Sequence, residues 1–441
     1  MTTETLTRPK ALKELFIFAL PIIFGQVGMM LIGTGDMIIA SMHSTDTLAA
    51  IGLAVAIANP ILMIAIGLLY GISPLLAQKR GMGENIDNYL PSVFVLSILI
   101  SLVFIVITLL SVFLVPILDY GEKLNAIIIE YLIITSFSII GIAVYQGLRE
   151  YLQAMEKTFL ANLIALLGVV VNLYFNYAFV FGKWGMPDLG VAGLAWASLS
   201  VRIFMAGALI IVVMKNHKFI GKIDWGFCKE VLKLSTPIAL AVFFEVMAFC
   251  SVTLFVGRFG PVQTAANNLA LTLGSLTFMV PLSISSAVGV KVGHAYGEKN
   301  FSNVKTFIFV SLLISQAFML FSAVMYFTMP EFLLGLFTQD TEVLIWGVQL
   351  LFLVGLFQFF DGAQITIAGI LRGLSVTRAS SVAVFIGYWI IGIPLGYYLA
   401  FVLKMESKGM WIGLAISLGV VAIMLAGILR RRLQTLHQEG L

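Results

Sequence analysis

Residues 230–257 read EVLKLSTPIALAVFFEVMAFCSVTLFVG, and this stretch decides the fold. As a helix it is long enough to cross the ~30 Å hydrocarbon core of a bilayer, because about 20 residues suffice at ~1.5 Å each. Yet Glu245 lies near its middle. A carboxylate at that depth costs about 2.5–3.5 kcal/mol on insertion scales. A run that is apolar enough to span a membrane and still carries such a residue predicts a helix shielded by other helices, with work for the acid to do.

The rest of the chain repeats the pattern. Of 441 residues, 60% are hydrophobic and only 11% charged, with a mean hydropathy of +1.04, far too little charge to cover a soluble fold. Between Gly, Pro and charged punctuation, twelve spans are legible near 14–41, 48–77, 89–115, 124–146, 158–181, 190–214, 230–257, 264–291, 304–328, 341–370, 379–402 and 409–430. The expected fold is an all-α polytopic membrane protein of 12 transmembrane helices. β-barrel strands would instead alternate apolar and polar residues over about ten positions.

No signal-peptide cleavage pattern precedes the first span, and no loop is long enough to house a soluble domain. The net charge of +4 comes from basic residues scattered among loops, which argues against nucleic acid as a partner. Cys228, placed in a basic loop, and Cys250, in mid-membrane, read as unbridged apolar filler without metal or redox spacing. The many Phe and Met residues read mainly as packing. The four histidines, His43, His217, His294 and His437, all fall near loops or ends, which makes a histidine proton relay a poor expectation.

Lys and Arg placement orients the spans. One side collects 19 of them, from Arg8, Lys10 and Lys13 through Lys79, Arg80, Arg149, Lys157, Lys215, Lys218, Lys222 and Lys229 to Arg430, Arg431 and Arg432. The other side has 5, namely Lys123, Lys183, Arg258, Lys404 and Lys408. Both termini are therefore expected in the cytoplasm.

A shift of 216 residues lays the first span on the seventh without a gap: Lys13-Glu14 falls on Lys229-Glu230, Pro21-Ile22 on Pro237-Ile238, and Ala49-Ala50 on Ala265-Ala266. Further along, Gly193-Leu194-Ala195 meets Gly413-Leu414-Ala415 at a shift of 220. This predicts an N-terminal six-helix lobe over 1–217, a cytoplasmic linker over 218–229 and a C-terminal six-helix lobe over 230–441. An even number of spans gives both halves the same orientation, so their pseudo-twofold axis is expected along the membrane normal, around a central cleft suited to alternating access.

Three acids lie well inside spans: Asp36 in the first, Glu245 in the seventh and Asp361 in the tenth. Under the repeat, Asp36 maps to Val252, Glu245 to Met29 and Asp361 near Ser138, so none is a copy of another. Each has a bland reading, a neutral acid hydrogen-bonded to a neighbouring helix, and a functional one, a carboxylate on an ion pathway. The functional reading is preferred for all three. Glu245 and Asp361 together, with Na⁺ as a candidate ligand, suit a hard monovalent cation or a shared proton.

Gln358 and Gln364 share a helix face with Asp361, and Gly33 and Gly35 flank Asp36, where they could open the backbone. Asn172 and Asn176 stand four residues apart and face one way; interhelical hydrogen bonding and a polar site are equally good readings. Arg202, mid-span, needs a counter-charge or a wet cavity, and its partner is not legible. Glu130 lies close to the outer end of its span and reads as interfacial.

At this point a resemblance becomes specific. LIGTGDMIIA with TLAAIGLA, the run AMEKTFLANLIALLGVVVNLYFNYAFVFGKWGMPDLGVAGLAWA, STPIALAVFFEVMAF, RFGPVQTAANNLA and DGAQITIAGILRG together resemble the multidrug and toxic compound extrusion (MATE) family, in its NorM-type bacterial branch, over essentially the whole chain. The resemblance implies antiport. Drugs, often cationic and aromatic, leave through a cleft between two lobes, driven by Na⁺ or H⁺. Its coupling acids fall on Glu245, Asp361 and Asp36, and its fifth-helix asparagines on Asn172 and Asn176. One departure is Phe357, where a tyrosine occurs in some relatives.

The expectation is thus a secondary multidrug antiporter of the bacterial inner membrane. It is a monomer in the bilayer with small-molecule substrates, no cofactor, no catalytic residues and no enzymatic activity. Gln358, Gln364, Asn172, Asn176 and Arg202 are its candidate polar contacts. A flippase of lipid-linked oligosaccharides would call for several intramembrane cations, and only Arg202 is plainly one. A membrane-embedded enzyme would need a nucleophile–base pair or metal set, and no HExxH, GxSxG or His-Asp cluster appears. A passive channel is disfavoured by the lack of charged rings. Na⁺ and H⁺ are not distinguished.

Overall fold

Side-chain caps set where several helices begin. Ser44 accepts from Thr47 N, Asn300 from Asn303 N, and Asp340 from Glu342 N and Val343 N, each filling orphan donors of a first turn. Pro261 opens another helix directly after Gly260, whose φ of 102° suits only glycine. In the computed structural model, which describes residues 6–118, 121–217, 219 and 221–438, twelve helices among the described residues are long and apolar enough to cross a membrane.

These are α1 (Arg8–His43), α2 (Thr47–Gly81), α3 (Ile86–Ile117), α4 (Glu122–Ala154), α5 (Phe159–Phe181), α6 (Ala192–Asn216), α7 (Trp225–Phe259), α8 (Pro261–Gly297), α9 (Phe301–Thr328), α10 (Thr341–Gly373), α11 (Arg378–Val402) and α12 (Glu406–Gln438). The all-α architecture of 12 spans agrees with the sequence reading.

The chain packs as two compact units, Leu20–Ala239 on one hand and Met1–Ala19 with Leu240–Leu441 on the other. In the first, α4 is the hub, packed on α2, α3 and α6, with α5 against α6. In the second, α10 holds the same place, packed on α8, α9 and α12, with α11 against α12. One packing scheme thus serves both, as the 216-residue repeat leads one to expect.

The boundary between these units runs through α1 and α7, beside Pro21 and Pro237. Side chains explain the exchange. At the start of α7, Phe227, Cys228 and Val231 are buried in the core of the first unit. There Ser235 Oγ accepts from Gly71 N at 3.0 Å. At the start of α1, Leu6 N donates to Asn303 Oδ1 at 2.9 Å, the Arg8 guanidinium lies over the Phe309 ring, and Glu14 pairs with Lys291 at 3.5 Å.

Two local expectations change. Cys228 is not in a loop, because α7 begins at Trp225; Lys218 lies outside the described residues. Gly33 and Gly35 do not open the backbone, since α1 stays helical through both.

Candidate functional site

Each unit holds a cluster of buried polar groups around an acid that the sequence places at membrane depth. In the second unit the cluster is built on α10, where Asp361 and Gln364 stand three residues apart and so share a face. Asp361 is 7% exposed and Gln364 2%. A flank of that helix is given over to close packing: a Cβ at Gly369 would lie 2.2 Å from the Ser285 carbonyl oxygen of α8.

Gln364 Nε2 donates to Glu245 Oε1 of α7 at 2.9 Å and to Asp361 Oδ1 at 3.5 Å. Tyr388 of α11 adds a third donor, its hydroxyl reaching Glu245 Oε1 at 3.1 Å. Beside it, Trp389 Nε1 donates to the Phe244 carbonyl at 3.0 Å and fastens α11 to α7 next to the acid. Two ionised carboxylates together offer about eight lone-pair sites. Three donor contacts, from one amide and one phenol, leave most of that capacity for a cation or a proton.

Gln358 does not join this cluster. Its Nε2 donates to Thr277 Oγ1 at 2.9 Å, and Thr277 is within 3.0 Å of the Tyr326 hydroxyl, a separate polar set about one helical turn away. Phe357 is turned elsewhere as well, stacked on Trp411 at 5.7 Å between centroids with an 8° interplanar angle.

In the first unit, Asp36 of α1 sits in a cage of donors. Its Oδ1 accepts from Asn172 Nδ2 at 2.9 Å and from Asn176 Nδ2 at 2.7 Å, and its Oδ2 from Ser198 Oγ at 3.1 Å. Both asparagines are fully buried, one turn apart on α5. Gly35 lets α1 come this close, for a Cβ there would stand 3.2 Å from Asn172 Oδ1. Arg202, one turn beyond Ser198 on α6, donates to Ser138 Oγ of α4 at 2.6 Å. Neither cluster lies in the pocket lined by Arg80, Glu84, Asp87, Lys157 and His217 at the helix ends.

Sequence reasoning missed Tyr388, Ser198 and Ser138. Serines and aromatics are too common in apolar helices to signal a site by themselves. For Tyr388 the one available cue was its neighbourhood, YWIIGIP, where glycine and proline interrupt a span.

Twelve long apolar helices packed in two units on one scheme, each unit enclosing an acid at membrane depth, define a membrane protein of the repeat-built transporter class. More specifically, the chain belongs to the MatE family, whose model matches residues 21–178 and again 237–398. The two matches begin 216 residues apart, on Pro21 and Pro237, in agreement with the internal repeat.

Multidrug resistance protein NorM of Vibrio parahaemolyticus is 31% identical over 440 residues, which cover 97% of this chain and 96% of that one. The NorM protein of Photobacterium profundum is 29% identical over 432 residues, 95% of each. Among solved structures, the Vibrio cholerae MATE transporter VcmN in its bent form matches the fold with a TM-score of 0.84 at 18% identity, covering 98% of this chain and 99% of that one.

Proposed function

We propose that this chain is a secondary antiporter of the bacterial inner membrane that exports small drugs, often cationic and aromatic, in exchange for Na⁺ or H⁺. The observation that carries the reading is the bridge Glu245–Gln364–Asp361, two carboxylates from different helices held on one amide with most of their lone pairs unspent. A site of that kind takes up a monovalent cation or a proton and releases it again. We read the chain as a carrier and not as an enzyme.

Exchange follows from mutual exclusion. With both acids ionised, the outward-facing state admits the coupling cation. Neutralising the pair weakens the hold on a cationic substrate, which leaves outward. The neutral protein returns inward, since carrying bare carboxylates through a dry barrier is costly. Each charge moving inward contributes about 2.3 kcal/mol per 100 mV of membrane potential. Asp36 with Asn172, Asn176 and Arg202 is the second polar station, in the other lobe. Both termini face the cytoplasm, in line with the 19 to 5 split of Lys and Arg, and the monomer is the working unit.

The test is ethidium efflux from proteoliposomes under an imposed Na⁺ gradient and then a pH gradient. Wild type exports under at least one of the two, and Glu245→Gln and Asp361→Asn abolish export while the protein stays folded and inserted. Near-normal export by both variants would reject the reading.

A further inference from the structure

We infer that Tyr388 is a specificity-determining ligand of the coupling-ion site, the group whose hydroxyl follows Glu245 between its ion-free and ion-bound states. The inference rests on the antiport reading above and adds a residue to it from α11.

Placement comes first. Tyr388 is fully buried, with its hydroxyl 3.1 Å from Glu245 Oε1 and 3.5 Å from Gln364 Nε2. It sits on a π-helical stretch, Ile386–Gly392, inside α11. Such wide turns are uncommon and concentrate at functional sites. Gly387, next to it, allows α11 to press against Val421 of α12, where a Cβ would come within 2.2 Å of the valine methyl. Trp389 anchors the other side to the Phe244 carbonyl at 3.0 Å. Its neighbours pin this stretch of α11 against α12 on one side and α7 on the other, and the ring itself is fully buried.

Chemistry supplies the second part. The Gln364 side-chain nitrogen that touches the acids is a donor only, and it serves both carboxylates. A hydroxyl carries one donor and two lone pairs. Facing an ionised Glu245, Tyr388 donates its hydrogen, as observed. When the acid takes a proton or a cation, the same oxygen offers a lone pair after a rotation about one bond. Gln364 would have to turn its whole amide and drop both acids to do as much. Tyr388 is therefore the neighbour of Glu245 that can stabilise either state without moving its ring.

The third part is what α10 lacks. Phe357, four residues before Asp361, has no hydroxyl, and its ring is stacked on Trp411. Trp411 in turn donates to Asn267 Oδ1 at 2.9 Å, which fixes the stack. Position 357 thus offers nothing to the ion, and the phenolic group comes from α11.

The experiment measures ethidium efflux in proteoliposomes against Na⁺ concentration at fixed pH, and against pH without Na⁺, for wild type, Tyr388→Phe, Phe357→Tyr and the double variant. Tyr388→Phe takes a donor from the ionised, ion-free Glu245 and is therefore expected to lower the half-saturating proton concentration about ten-fold or more in the pH series, the size of one lost hydrogen bond to a charged group. The maximal rate at saturating ion and the ethidium affinity, read from fluorescence titration, stay near wild type. Phe357→Tyr alone leaves the ion dependence unchanged.

An unaltered ion dependence in Tyr388→Phe, or a lower maximal rate with no change in ion affinity, overturns the assignment. So does restored ion affinity in the double variant. Should Tyr388→Phe fail to fold, 3-fluorotyrosine at position 388 keeps the shape and acidifies the hydroxyl; an ion dependence equal to wild type then overturns the assignment. Absence of efflux by wild type under both gradients rejects the antiport reading itself, a result distinct from a working wild type with an indifferent Tyr388→Phe.

Discussion

Gln364 Nε2 lies 2.9 Å from Glu245 Oε1, so an amide of α10 holds a carboxylate of α7. The same nitrogen is 3.5 Å from Asp361 Oδ1. Two acids on different helices are thereby tied through one neutral group that carries no charge of its own.

Gln364→Leu keeps the volume and removes the tie. Asp361 is then left with no hydrogen-bond donor among the described residues, and Glu245 with Tyr388 alone. Each lost hydrogen bond to a charged group is worth about 1.5–3 kcal/mol. We expect the variant to insert, to melt a few degrees lower in detergent, and to export ethidium at about a tenth of the wild-type rate or less. Gln364→Glu puts a third carboxylate among two and is expected to be worse on both measures. A wild-type efflux rate in Gln364→Leu would show that the bridge has no part in transport.

The Asp36 cage makes a different prediction, because its members are coupled. Asn172 and Asn176 both donate to one oxygen of Asp36, and Asn176 also donates to Asn172 Oδ1 at 3.1 Å. Removing either partner strands a buried polar group, which costs about 1–3 kcal/mol. Removing both still strands Asn172 and Ser198, but the Asp36–Asn176 bond is lost only once. Asp36→Ala and Asn176→Ala should therefore each lower the melting temperature, while the double variant loses less than the two losses combined, with a coupling of about 0.5–3 kcal/mol. Additive losses in a thermal or denaturant series would mean that the observed hydrogen bonds carry no net stability.

Much of this was legible in the sequence, and the reasons are physical. Span count follows from block length against bilayer thickness, and all 12 expected spans have a counterpart in the structure. Glu245, Asp361 and Asp36 stood out because charge in hydrocarbon is costly enough to be rare. The pairing of Asn172 with Asn176 followed from the four-residue period.

What stayed hidden were choices of partner. Gln358 and Gln364 flank Asp361 on α10, three residues to either side, yet one turns to Thr277 and the other to Glu245, a matter of which helix lies opposite each. The Arg202 partner was not legible because Ser138, which accepts from it, is 64 positions away in the chain. The exchange of helix starts between units was invisible for the same reason. Phe227 and Val231 look like any apolar residues until one sees which core buries them.

The charge asymmetry yields a topology prediction. Green fluorescent protein fused after the last residue should fluoresce and alkaline phosphatase at the same point should be inactive, since both report a cytoplasmic C-terminus. The opposite pair of results would invert the orientation drawn from the 19 to 5 distribution.

The α8–α10 contact gives the last prediction, and it links packing to the site. Ser285 and Gly289 on α8 face Gly369 and Gly373 on α10, small residues spaced four apart on both helices. Without a hydrophobic force between helices in lipid, close backbone approach of this kind is what holds them together. Ser285 Oγ reinforces it by donating to the Ile365 carbonyl at 2.6 Å, while Arg372 Nη2 donates to Ser285 Oγ at 2.6 Å. A Cβ at Gly369 would sit 2.2 Å from backbone oxygen, where neither helix can yield by a rotamer change.

Gly369→Val must push α10 away from α8, and α10 carries Asp361, Gln364 and Gln358 together. Overpacking costs about 1–3 kcal/mol, and more where backbone is in the way. The expected outcome is a lower melting temperature than for Gln364→Leu and loss of ion-driven efflux. Gly427→Val, on a glycine of α12 with open space around it, should leave both near wild type. If Gly369→Val melted and transported like Gly427→Val, the small-residue seam could not be what sets the position of the acids.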